Sequence, residues 1–371
     1  MARIHLLTPS IIPSDAVSSD LLGMRRWFRR QGYQAFAYAG RCHEDLRHQV
    51  RPLRAYRRHL ASRDDVLIYH HSVGWPAGMA LYEMSRNRKI VRYHNVTPAH
   101  FYEPYNASYV RACLRGSKET RWLARSRPEL FLAASDFNAQ GLIASGAQPS
   151  ACRTIPPLHG IGDLDQLRVD EGLAAQLRGR TNLLFVGRVT PNKGQVHLIR
   201  ALAYCLRHLG QDAHLRLVGG FDVGIPGYLE ELQAEIRRHR LQDRVHLCGK
   251  VMARQLKTYY AHASVFVCAS EHEGFCVPLV EAMYYGIPIV AYGGSAVGAT
   301  LGDAGIVWGT PAPALFAESI RQIITRPEVR AILVHRQRER FNEHFTAAAI
   351  ERKLGETCAP ILESSAARVI A

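Results

Sequence analysis

The 371-residue sequence contains no C-x-x-C pair; its eight cysteines (Cys42, Cys113, Cys152, Cys205, Cys248, Cys268, Cys276 and Cys358) are scattered. That spacing suggests neither a disulfide framework nor a zinc site and fits a reducing cytoplasm. No apolar run reaches the ~18 residues of a membrane span. The opening "MARIHLLTPSII" has one arginine before a short apolar stretch that reads as a first strand. Neither a signal peptide nor a transmembrane helix is expected. Internal repeats and low-complexity tracts are missing as well. The glycine-rich stretch Tyr292 to Gly305 (YGGSAVGATLGDAG) has the spacing of neither G-x-G-x-x-G nor a P-loop, which counts against a dehydrogenase or a P-loop NTPase.

Negative charge is the scarcer sign, with 32 Asp+Glu against 47 Lys+Arg and a net charge of +15. Residues 1–160 hold 23 basic against 11 acidic side chains, or +12, leaving +3 for the remainder. The excess gathers in Met24–Arg30 (MRRWFRR), Arg51–Arg63 (RPLRAYRRHLASR) and Arg111–Arg127 (RACLRGSKETRWLARSR), where Trp27, Phe28, Tyr56, Leu60, Leu114, Trp122 and Leu123 interleave with the cations. Solvated helix faces explain any single run. Three runs in one half point to a functional surface for anionic membrane or nucleic acid. Membrane is preferred, because the aromatics sit within amphipathic helices and no nucleic-acid motif occurs.

Strand-like apolar runs alternate with helix-length segments. They begin at Ile4, Ala35, Val66, Lys89 and Leu130, then at Asn182, Leu215, Arg244, Ser264 and Pro288. Such alternation predicts α/β domains with parallel sheets and helical crossovers. The Pro- and Gly-containing stretch Thr154–Thr181 divides the strands five and five and reads as a linker. Two doubly wound, Rossmann-like domains are expected at 1–160 and 161–345, facing a central crevice. A helical segment over 346–371 is free to cross back to the first domain. Ligands of such sheets lie outside the carboxyl ends of the strands.

Three loops of the second half suit an anionic ligand. Phe185–Gly194 (FVGRVTPNKG) follows a strand and sets Arg188 and Lys193 five residues apart across a Pro-Asn turn, a pair suited to a diphosphate. Gly293 and Gly294 follow another strand and allow backbone N–H groups close to phosphate oxygens. Between these lies Ser270–Tyr292 (SEHEGFCVPLVEAMYYGIPIVAY), with Glu273 and Glu281 separated by seven residues. Pro278 suits the first helical position, Gly286 the C-terminal cap, and Pro288 bars continuation, so Glu281 is expected in or just after the first turn. The amino end of that helix attracts anions.

In combination these segments resemble retaining glycosyltransferase family 4, of GT-B architecture, with its glutamate, seven residues, glutamate motif. The likeness is close over the second half; in the first it rests on strand order, "YHN" and "SDFNAQGL". It implies transfer of a hexose from a nucleoside diphosphate sugar to a hydroxyl of a glycan or polyprenyl-linked glycan, with the anomeric configuration retained. GDP-mannose is favoured over UDP-hexoses, for cell-surface polysaccharide or lipopolysaccharide synthesis at the inner face of the plasma membrane. By that resemblance Glu273 meets the donor sugar, and Arg188 and Lys193 neutralise the leaving diphosphate. His94, at the end of a first-half strand, lies beside the sugar. Glu281 grips the ribose. Gly187 and the backbone of Gly274, Phe275 and Cys276 bind the nucleotide sugar, and the main chain of Val251 meets the base.

Two departures bear on this. "TPSIIPSDAVSSD" lacks the glycine pair of many relatives, leaving Asp15 and Ser18 as helix caps and acceptor contacts, with Asn95 a further helper. Cys276 stands where glycine is common, so backbone approach there must tolerate a Cβ atom. No metal or other cofactor is expected, since Arg188, Lys193 and the helix dipole supply the positive charge, and Asp163–Asp165 (DLD) reads as loop solvation. The rival readings are a glycoside hydrolase built on the two glutamates, a nucleotide-sugar epimerase or phosphorylase on the same fold, and a basic nucleic-acid-binding protein.

Overall fold

A computed structural model describes residues 2–367. The chain divides into two compact units. Unit 1 holds residues up to Ala99, Ser108–His159 and Phe345 onward; unit 2 holds His100–Ala107 and Gly160–His344.

Unit 1 is built on strands β1 (Arg3–Ile11), β2 (Gln34–Cys42), β3 (Arg51–Pro52), β4 (Val66–His71), β5 (Arg88–Tyr93), β6 (Leu130–Ala133) and β7 (Cys152–Thr154). They pair in the order β3-β2-β1-β4-β5-β6-β7, and every pairing is parallel. Its helices are α1 (Ala16–Arg30), α2 (Pro76–Met84), α3 (Ala107–Arg125) and α4 (Asp136–Ala144). Both faces of the sheet are covered, as a wholly parallel sheet requires, so the strands read as continuous apolar runs. Alternation sorts their side chains between two cores. Ile4, Leu6, Val66 and Ile68 pack with Trp27 and Phe28 of α1. Leu7, Leu67 and Tyr69 pack on the other face with Met79, Tyr82 and Leu123.

Unit 2 uses β8 (Asn182–Val186), β9 (His214–Val218), β10 (Val245–Gly249), β11 (Val265–Cys268), β12 (Ile289–Tyr292) and β13 (Ile306–Trp308). Their order is β10-β9-β8-β11-β12-β13, again with every pairing parallel. Its helices are α5 (Ile161–Asp165), α6 (Glu171–Leu177), α7 (Gln195–His208), α8 (Pro226–His239), α9 (Ala253–Ala261), α10 (Val277–Tyr284), α11 (Ala296–Leu301), α12 (Pro313–Thr325) and α13 (Pro327–His344). The strand order reverses beside β8 and β11, whose carboxyl ends carry the loops singled out above.

Several boundaries differ from the sequence reading. Ten strands were expected; the three extra ones, β3, β7 and β13, are two- or three-residue edge strands. The presumed linker is folded, with Ile155, Leu158, Ile161 and Leu164 buried and helices α5 and α6 inside it. His100–Ala107 clusters with unit 2, where the Tyr105 hydroxyl donates to Glu231 at 2.6 Å and Asn106 Nδ2 to the Gly224 carbonyl at 2.6 Å. The last helix, α14 (Ala347–Ala367), packs within unit 1, burying Ile350, Leu354 and Cys358 against Trp27 and Phe28. Among the described residues, no helix is long and apolar enough to cross a membrane.

Candidate functional site

Three loops of unit 2, following β8, β11 and β12, are stitched together by their own polar groups. The loop after β8 turns through a short 3-10 segment, Pro191–Lys193, and ends at Gly194 with φ +63°. A Cβ on Gly194 would lie 2.2 Å from the Ala269 carbonyl oxygen, so only glycine lets this loop close on the end of β11. Asn192 fastens the two: its carbonyl accepts from the N–H groups of Glu271 and His272, and its Nδ2 donates to the His272 carbonyl at 3.0 Å. Gln195 supports the turn from α7, donating to the Arg188 carbonyl at 2.9 Å while accepting from the Tyr228 hydroxyl at 2.9 Å.

That framework brings Lys193 to Glu273, with Nζ donating to Oε1 at 2.6 Å. Glu273 is buried. Its own N–H donates to Ser295 Oγ, in the loop after β12, at 2.8 Å. Burial pulls the Lys193 ammonium down, but the Glu273 carboxylate outweighs it, and the net result lies above the ordinary lysine range. The Lys193 ammonium therefore stays charged through neutral pH. Arg188 is exposed at the mouth of the same loop.

Glu281 sits on α10, which starts at Val277 and not at Pro278, so Glu281 falls in the second turn. Leu279, Val280, Ala282 and Met283 face the core. The carboxylate is held by the Tyr260 hydroxyl of α9, which donates to Oε2 at 2.5 Å. Burial raises the Glu281 carboxyl above its usual range, and the Tyr260 hydrogen bond opposes that rise. Tyr260 itself is buried and stacked on Tyr285 with ring centroids 5.3 Å apart.

Cys276 caps α10 at φ +74°, a left-handed conformation that suits glycine, so the substitution of cysteine is accommodated with local strain. The Phe275 carbonyl accepts from Thr300 at 2.8 Å, and Gly274 lies between Phe275 and the buried Glu273. Gly187 continues directly from β8, its N–H donating to the Val218 carbonyl at 2.9 Å. Val251 follows β10, an edge strand of the sheet. Asp165 of the DLD stretch belongs to α5 and accepts from Lys257 at 3.4 Å.

In unit 1, His94 follows β5 and is not solitary. Its Nε2 lies 3.0 Å from His70 Nδ1 and 3.7 Å from Asp20 Oδ2. Asp20 is engaged by Arg92 Nε at 2.7 Å and by the Leu158 N–H at 2.8 Å. Burial, and then the Arg92 cation, hold His94 well below the ordinary histidine range, so its ring is neutral. Asn95 adopts φ +80°, accepts from the Val96 N–H and donates to Asn138 Oδ1 at 2.7 Å. Asp15 caps α1 by accepting from the Ser18 N–H at 2.9 Å and hydroxyl at 2.8 Å; that hydroxyl in turn accepts from the Ile12 N–H. The one proton of the Ser18 hydroxyl is thus already committed.

Among the described residues, two clusters bring metal-ligating atoms within 4.8 Å of one another: Asp20 with His70 and His94, and Asp65 with His5 and His59. In each, an arginine already holds the carboxylate, Arg92 on Asp20 at 2.7 Å and Arg3 on Asp65 at 3.3 Å.

Sequence reasoning missed Tyr260, Ser295, Asn192 and Gln195. Asn192 and Gln195 flank Lys193 in "PNKGQ", a signal that was available. Nothing local marks Tyr260 or Ser295, each about twenty residues from the glutamate it bonds, Tyr260 at the Glu281 carboxylate and Ser295 at the Glu273 N–H.

Residues 176–340 match the family model described as Glycosyl transferases group 1. A GDP-mannose:cellobiosyl-diphosphopolyprenol alpha-mannosyltransferase of Xanthomonas oryzae pv. oryzae is 34% identical over 160 residues, 43% of this chain and 39% of that protein. A D-inositol 3-phosphate glycosyltransferase of Geodermatophilus obscurus is 32% identical over 200 residues, 50% of this chain and 42% of that one. The chain thus spans about two fifths of the length of these relatives. Among solved structures, Anabaena Alr3699/HepE in complex with UDP-glucose superposes with TM-score 0.78 at 19% identity, covering 97% of this chain and 100% of that chain. A sucrose-phosphate synthase from Thermosynechococcus elongatus gives 0.76 at 18%, covering 98% and 100%. The fold is GT-B.

Proposed function

We propose, from a GT-B chain whose residues 176–340 match the group 1 glycosyl transferases, that this protein transfers a hexose from a nucleoside diphosphate sugar to an acceptor hydroxyl with retention of configuration. The observation that carries the reading is the Lys193–Glu273 pair, 2.6 Å apart and fixed at the carboxyl ends of β8 and β11. It places a cation for a diphosphate and an acceptor of sugar hydroxyls side by side, beside the amino end of α10. A hydrolase built on Glu273 and Glu281 leaves the loop of Lys193 and Arg188 without a role, which disfavours this rival.

In the proposed reaction Lys193 and Arg188 stabilise charge on the departing diphosphate. Glu273 orients the sugar, and Glu281, itself held by Tyr260, orients the ribose. Gly187 and the backbone of Gly274, Phe275 and Cys276 line the phosphates, and Val251 meets the base. The acceptor's proton passes to a diphosphate oxygen on the same face as the C–O bond to the acceptor forms and the bond from the anomeric carbon to the diphosphate breaks. Positive charge comes from side chains and the helix dipole, so the reaction runs without a metal ion.

GDP-mannose is the preferred donor, supported by the relative named for it; UDP-hexoses are the alternative, supported by the neighbour with UDP-glucose. A polyprenyl diphosphate-linked glycan is the proposed acceptor, which would place the protein at the cytoplasmic face of the membrane. The test is donor consumption in EDTA, with GDP-mannose, UDP-glucose and UDP-galactose offered with and without a lipid-linked glycan. Product with the same anomeric configuration as the donor supports the proposal. Turnover that ignores the acceptor points instead to an epimerase or phosphorylase.

A further inference from the structure

The three arginine-rich stretches of unit 1 fold in different ways. In α1, Trp27 and Phe28 are buried against α14, so that stretch turns its aromatics inward. In Arg51–Arg63, Tyr56 is fully buried, its hydroxyl bonded to Ser85 and Asn87. Helix α3 alone keeps large apolar side chains outside, with Leu114 51% and Trp122 43% exposed. Spacings of three and four residues put them on one face with Arg111, Arg115, Lys118, Arg121 and Arg125, all exposed. The one carboxylate of α3, Glu119, accepts the Trp75 N–H at 2.9 Å and interacts with the Arg115 cation, leaving a single acidic group against the five basic ones.

The face runs at its carboxyl end into a shallow pocket of about 510 Å³ at the amino ends of β5 and β6, where Arg63, Arg86, Lys89 and Arg127 converge; Glu129 also lines it and is paired with Arg88 at 2.7 Å. Among the described residues, Arg63, Arg86 and Arg127 have no carboxylate within ion-pairing distance. Met84, 60% exposed, stands directly before Ser85 of the pocket wall.

We propose that the outward face of α3 docks unit 1 on an anionic bilayer, with the basic pocket taking a phosphate-bearing lipid headgroup. Arginine and lysine lay their stems along apolar surface while their charges reach phosphates. Tryptophan and leucine between them enter the interfacial layer, where an aromatic ring is favoured. Five cations broken by Trp122 and Leu114 suit that layer better than a groove tracking a nucleic-acid backbone. The inference gives a surface to the membrane location in the proposed function but does not need sugar transfer; an inactive protein that still binds vesicles separates the two.

The experiment is flotation of the full chain with phosphatidylcholine vesicles containing ~30 mol% phosphatidylglycerol, against pure phosphatidylcholine. The wild type should float with the anionic vesicles alone, and less so at high salt. Lys118→Glu/Arg121→Glu should reduce binding at least ~10-fold, and Leu114→Ala/Trp122→Ala should reduce it without changing its salt dependence. Arg54→Glu/Arg57→Glu, an equal charge change on exposed residues outside this face, should stay within ~2-fold of wild type. Melting temperatures confirm that each variant is folded. Equal losses from both charge reversals would assign binding to net charge and overturn the α3 face. Binding to a DNA or RNA oligonucleotide with no vesicle preference would overturn the membrane.

Discussion

At the scale of single residues, the site is a set of paired groups whose partners set their behaviour. Glu273→Gln should leave nucleotide affinity within ~3-fold while lowering kcat ~100-fold or more, because only the sugar contact and the ion pair change. Lys193→Ala leaves a buried carboxylate without its nearest cation and should cost about 1–3 kcal/mol in urea unfolding, besides weakening nucleotide binding. Tyr260→Phe gives a pH test. Burial raises the Glu281 carboxyl and the Tyr260 hydrogen bond lowers it, so losing the bond moves it further up. Nucleotide binding that needs the ionised carboxylate should then fail at a higher pH in the variant than in the wild type, as read by titration between mildly acidic and neutral pH. Sequence made Glu273, Glu281 and Lys193 legible because each lies in a motif with local punctuation. Tyr260 was not legible, since it meets Glu281 only after α9 and α10 pack across β11.

At the scale of elements, the loops rather than the helices carry the unusual backbone. Gly194→Ala forces a Cβ to 2.2 Å from the Ala269 carbonyl oxygen at φ +63°, and should cost ~2 kcal/mol or more. Cys276→Gly at φ +74° should melt at or above the wild-type temperature, whereas Cys276→Val should melt below it, because a β-branched side chain is poorly tolerated there. The ten apolar runs of four or more residues were readable as strands because a parallel sheet covered on both faces buries most of their side chains. Edge strands β3, β7 and β13 are too short to leave a pattern; Arg51 and Pro52, both exposed, look like loop. Helix α10 was displaced by one residue because Pro278 fits the second helical position as well as the first, neither N–H having an intrahelical partner.

For the whole molecule, the division into units depends on contacts between segments distant in sequence, which no local pattern reports. That is why His100–Ala107 was not assignable beforehand, and why the return of 346–371 to the first domain was open in the sequence until the contacts placed it in unit 1. Helix α14 completes the core of unit 1, and Leu354, 1% exposed in the cluster with Trp27, makes the point testable: Leu354→Ala should cost about 2–4 kcal/mol. Charge is likewise a whole-molecule property, +15 overall, yet only the fold shows which of three basic stretches presents apolar side chains outward. We propose that unit 2 recognises a nucleoside diphosphate without metal. The most direct test is calorimetric titration of the full chain with GDP, UDP and ADP in excess EDTA, repeated with Glu281→Ala. One of the three should bind, one per chain, and the variant should lose it. Binding of none, or equal binding by wild type and variant, would show that unit 2 does not use Glu281 to hold a nucleoside diphosphate.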